Sequence, residues 1–80
     1  MIGKVRAINQ QKGFIAVETD GNEFSVIELL GEYGVEIGDV ISGDIESLGG
    51  ETVINKTQSE EMDVFIQDCH CDAQRVRQLT

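Results

Sequence analysis

Proline and tryptophan are absent from this 80-residue chain, and aromatics are scarce, with three phenylalanines and one tyrosine. Nothing therefore reads as a rigid proline-rich segment, and a broad aromatic surface is excluded. Basic residues are also few: six Lys and Arg face fifteen Asp and Glu, a net charge of −9. Long-range attraction to a phosphate backbone is disfavoured, because such affinity comes largely from Lys and Arg displacing counterions. No apolar run approaches the length of about 18 residues that a membrane helix needs. The start, Met1-Ile2-Gly3-Lys4-Val5, lacks a signal-peptide layout, so a soluble cytoplasmic protein without a membrane role is expected. Two cysteines one residue apart make no disulfide framework. Nucleophile-elbow, P-loop and dinucleotide glycine patterns are missing, and the single histidine sits among acids near the end. Neither catalysis nor a cofactor is expected.

Eighty residues make one small domain, near the size at which a single core becomes marginal. A hydrophobic content of 40% suits a globular chain rather than a disordered one. Residues 2–8 and 14–19 read as strands joined by a polar stretch that ends in Lys12 and Gly13. Asp20-Gly21 is a hairpin signal, since a tight type I′ turn needs positive φ. Residues 23–27 form a third strand, and the glycines at 31 and 34 mark a loop or short helical turn. Gly38-Asp39 is a further turn, residues 40–47 a fourth strand, Leu48-Gly49-Gly50 a turn and residues 51–57 a fifth strand. Five short strands with turn chemistry between them predict a mainly β fold, a small barrel or sandwich.

Alternation assigns the faces. Ile15, Val17 and Thr19 form the core side of the second strand, leaving Phe14, Ala16 and Glu18 on the other. Phe24 and Val26 oppose Glu23, Ser25 and Ile27 on the third. Phe14 and Phe24 are either packed residues or exposed stacking platforms. The tail from Gln58 has two readings. Thr57 and Glu60 make a capping-box pattern before one helical face of Met62, Phe65, Ile66, Cys69, Ala73 and Val76. Val64-Phe65-Ile66 is instead rich in strand formers, and Asp63, Asp68 and Asp72 suit helix interiors poorly. An extended segment near residues 62–67 followed by a short helix capped at Asp72 fits better.

Gly3, Val5, Arg6 and Asn9, followed in register by Lys12-Gly13-Phe14, resemble the first hairpin of a cold-shock domain, whose first strand reads roughly Gly-x-Val-Lys-Trp-Phe-Asn and whose second opens Lys-Gly-Phe-Gly-Phe-Ile. The resemblance covers residues 2–57. It implies a five-stranded OB-like barrel over 1–57, which leaves residues 58–80 as a C-terminal extension packed on the barrel and ending in a short helix. It also implies binding of single-stranded RNA or DNA, with Arg6 and Lys12 as basic contacts and Phe14 and Phe24 as stacking aromatics. Other working positions of the family hold Ala7, Ile8, Ala16, Val26 and Ile27. Each base–aromatic stack contributes roughly 1–3 kcal/mol, so these replacements imply weak binding. The alternative is a protein-interaction or homodimerisation module in which those five aliphatic residues form the contact face. Asp63-Val64-Phe65-Ile66-Gln67 also resembles a strand of the family, but it follows the fifth strand rather than the second and reads as a chance match.

Cys69-His70-Cys71 supplies three crowded donors where structural zinc takes four, usually from spaced pairs. A single chain is expected to hold no metal there, although a dimer pooling two cysteine pairs is a distant alternative. Redox sensing is disfavoured because Asp68 and Asp72 raise thiol pKa values. The plainest expectation is a packed Cys69 and a solvent-facing Cys71.

Overall fold

The computed structural model describes residues 1–19 and 22–79, with Leu79 described through its backbone alone. The expected Asp20-Gly21 turn lies outside the described residues. Six strands form one closed barrel: β1 (Ile2–Asn9), β2 (Phe14–Glu18), β3 (Phe24–Leu29), β4 (Val40–Ser42), β5 (Gly49–Asn55) and β6 (Glu60–Cys71). A short helix, α1 (Ala73–Leu79), follows. Around the barrel the order is β1-β2-β3-β6-β5-β4, and every neighbouring pair is antiparallel. Among the described residues no helix is long and apolar enough to cross a membrane.

The mainly β barrel with a terminal helix matches the sequence reading, and the extra strand has a simple cause. A closed barrel whose neighbours all run antiparallel needs an even number of strands. Since β3 and β5 run the same way, a strand between them must run oppositely, and β6 does so. It covers the extended segment expected near residues 62–67 and is longer, so most of the stretch from residue 58 belongs to the barrel wall. The single long helix fails because period two suits the interior better: Met62, Val64 and Ile66 are fully buried while Asp63, Phe65 and Gln67 face out. The fourth strand is shorter than residues 40–47, ending before Gly43 at φ 146. The fifth begins at Gly49 rather than Glu51, so two expected turn glycines lie in the ladder.

Ten buried side chains fill the barrel: Val5, Ile15, Val17, Ile27, Ile41, Ile45, Val53, Met62, Val64 and Ile66. Burying each contributes roughly 1.5–3 kcal/mol. Gly3 is required where β1 crosses β2, because a Cβ there would lie 2.5 Å from Val17 Cγ1 and 2.7 Å from the Glu18 carbonyl oxygen. Gly13, at φ 70, closes the β1–β2 turn. One end of the barrel is fastened by a polar cluster. The Asp39 carboxylate accepts hydrogen bonds from Asn55 Nδ2 (2.8 Å), Gln58 Nε2 (2.7 Å) and the Glu36 amide (3.0 Å). These bonds, the Asn55 amide first, outweigh burial and hold the Asp39 pKa below its ordinary value.

A second, smaller cluster lies outside the barrel. Ala16, Val26, Cys71 and Val76 are buried together, flanked by half-buried Ala7, Phe14 and Phe24. Val76 is thus the foot by which α1 stands on the outer face of β2 and β3. Seven residues are too few for a stable isolated helix. Its other supports are Asp72 Oδ1, which caps it by accepting the Arg75 N–H (2.8 Å), and an Arg75–Asp68 ion pair (3.2 Å).

Candidate docking surface

The four residues expected to contact nucleic acid all lie along β1, β2, β3 and the first turn, but they form no open platform. Arg6 occupies a bulge in β1, where the ladder slips between Val5 and Ala7, and its Nε is 2.9 Å from Glu18 Oε1. Lys12 is exposed in the turn, with its amide donating to Asn9 Oδ1. Phe14 pairs with Glu28 and Phe24 with Glu18, so the two rings belong to opposite ends of the β2–β3 ladder. Between those ends stand Ala16 and Val26, each 0% exposed and packed with Val76 of α1. The middle of the face expected to stack bases is occupied by the chain's own helix.

The aliphatic set proposed as an alternative contact face is divided. Ile27 is inside the barrel and Ile8 packs against that interior cluster, while Ala7, Ala16 and Val26 belong to the outer one. No single surface presents all five.

A different face carries exposed apolar groups. On β6, Phe65 is 41% exposed, and on β5 Ile54 is 48% exposed. Leu30, 57% exposed, shares a shallow depression with Gly50, Glu51, Thr52 and Asp63. Register explains the arrangement. Phe65 pairs with Glu28 on one side and Gly50 on the other, and Thr52 pairs with Asp63 and Ile54 with Glu61. Gly50 leaves the space beside Phe65 open, since nothing lies within 4 Å of where its Cβ would be. The outer wall of β5 and β6 therefore interleaves apolar side chains with carboxylates, in rows about 4.8 Å apart across strands. Two carboxylates are held in place, Asp63 by Thr52 Oγ1 (3.0 Å) and Glu28 by Gln67 Nε2 (2.7 Å). Phe65 was legible in the sequence: with Met62, Val64 and Ile66 inward, alternation turns it out.

The barrel also has a cleft at one end, lined chiefly by Ile8, Leu29, Tyr33 and Val35 beside Asn9 and Gln10. The Tyr33 hydroxyl is engaged by the Asp63 amide at 3.0 Å. Among the described residues its titratable lining is Glu32 and Tyr33.

The two cysteines are reversed from expectation. Cys71 is buried beneath α1 and Cys69 is half-buried. The ladder slips between Val26–Asp68 and Phe24–Cys71, and this bulge resets the alternation. Burial first, then the Asp68 charge, pushes the Cys71 thiol up to about 11. Burial, Asp68, Glu46 and Glu23 raise Cys69 as well. Neither thiol is poised as a reactive thiolate.

No family model, curated protein or solved structure matches this chain.

Proposed function

We propose that the protein is a non-catalytic, cytoplasmic interaction module whose outer β5–β6 wall docks a basic, partly apolar segment of another protein. The observation that carries this reading is the interleaving of exposed Phe65, Ile54 and Leu30 with Glu28, Glu61 and Asp63. Exposed apolar groups rimmed by polar ones are characteristic of protein contacts. Fixed carboxylates between them favour a cationic partner, and the net charge of −9 speeds its approach. The same charge repels a second copy of the chain, so homodimerisation is the weaker form of the idea.

Calorimetry with a synthetic peptide alternating Leu and Arg tests the reading. Wild type should bind it, and Phe65→Ala and Gly50→Arg should each weaken binding about tenfold or more, the loss of roughly 1.4 kcal/mol or more. Gly50→Arg enters open space, so the barrel persists. A peptide that does not bind, or binds both variants as well as wild type, overturns the proposal.

A second reading keeps the resemblance: weak single-strand nucleic-acid binding by an OB-like face through Arg6, Lys12, Phe14 and Phe24. Its support is the placement of all four along β1, β2, β3 and their first turn. The Glu18 partner of Arg6 and the seat of Val76 weigh against it.

A further inference from the structure

The end of β6 creates a convergence that the docking wall does not use. Across the ladder slip, Cys69 and His70 together stand opposite Ser25. His70 takes up the left-handed region at φ 56. Its Nδ1 lies 3.1 Å from Glu23 Oε1 and 3.4 Å from Glu46 Oε2. The three donors come from separate segments: the approach to β3, the loop between β4 and β5, and β6. All three donor atoms lie within 4.8 Å of one another.

One imidazole nitrogen carries at most one hydrogen, yet two carboxylates approach it here. A proton satisfies one of them well; a cation with several coordination positions accommodates both. The two spacings from His70 Nδ1 agree with that. Donors at about 2.1 Å from an ion stand roughly 3.0 Å apart at octahedral right angles and roughly 3.4 Å apart in a tetrahedron. We propose that Glu23, Glu46 and His70 bind one divalent transition-metal ion of the zinc, cobalt or nickel class. Imidazole as a donor selects these ions over calcium and magnesium, which prefer oxygen alone. Three protein donors leave the remaining positions to water, and the bound ion ties the β6 bulge to the β4–β5 loop and the start of β3.

The test is titration of the metal-free full chain with Co2+ and then Zn2+, under a non-thiol reductant, followed by calorimetry and cobalt absorption. Saturation is expected at a single ion per chain. His70→Asn and Glu46→Gln should each weaken binding roughly tenfold or more, a loss at least as large as removing an outer-shell partner causes. Asn tolerates the left-handed backbone, so His70→Asn removes the imidazole without unfolding the bulge. Cys69→Ser should leave binding unchanged. The proposal is overturned by the absence of saturable binding, by affinity indifferent to His70→Asn, or by intense thiolate–cobalt absorption that Cys69→Ser abolishes.

Discussion

Replacing Asn55 by Ala should reveal how much the buried polar cluster at one end of the barrel contributes. Asn55 is fully buried on β5, and its Nδ2 donates to Asp39 Oδ2 at 2.8 Å. Its Oδ1 also accepts the Gln58 amide at 3.1 Å, holding the turn into β6. A hydrogen bond to a charged group contributes about 1.5–3 kcal/mol, and a neutral one about 0.5–1.5 kcal/mol. Asp39 is only 4% exposed, so water replaces the lost donor poorly. The combined loss should be about 2–4 kcal/mol, a large share of the roughly 4–12 kcal/mol available to a chain of this length. Urea unfolding followed by circular dichroism at neutral pH measures it. The pH dependence supplies a second, independent readout. The folded pKa of Asp39 lies below its ordinary value of 3.8. Its contribution is therefore present above the unfolded value and is lost as pH falls through the folded one. In Asn55→Ala the largest cause of that depression is gone, so stability should fall less steeply below pH 4 or so. A loss under about 0.5 kcal/mol, the scale of an ordinary surface change, together with an unaltered acid slope would refute the reasoning.

Three further outcomes follow from packing. Gly3→Ala should destabilise the barrel by about 1–3 kcal/mol, because the new methyl meets the β2 backbone as well as Val17; equal urea midpoints would contradict this. Val76→Asp should unseat α1 while leaving the barrel folded, seen as faster amide exchange over residues 73–79 with β-strand protection retained. Cys71 should react with iodoacetamide more slowly than Cys69 in wild type and catch up in Val76→Asp; equal wild-type rates would mean that α1 does not cover it.

Much of the fold was legible because alternation is strict where one face is buried. Ile15 and Val17 against Phe14 and Ala16 fixed the sense of β2, and the strand-formers Val64, Phe65 and Ile66 identified β6. Strand number was less accessible, since it depends on the antiparallel closure of the whole ring rather than on any segment. Bulges explain the remaining differences. The ladder slips around Asp68–His70 inverted the expected burial of Cys69 and Cys71, and nothing local in Cys69-His70-Cys71 announces them. The site was harder. Resemblance pointed to Phe14 and Phe24, but it carries no information about a helix docked from outside the resembling region. Asp39 read as a turn residue, and its partners Asn55 and Gln58 are 16 and 19 positions away.

The most direct test is a heteronuclear NMR titration at low salt, adding the Leu–Arg peptide to one sample and oligo-dT to another. Docking on the outer wall expects peptide-induced shifts clustered at Leu30, Gly50, Ile54 and Phe65, fading as salt is raised, with oligo-dT silent. Shifts induced by oligo-dT at Arg6, Lys12, Phe14 and Phe24, with the peptide silent, would contradict it and make the β1–β3 face the working surface.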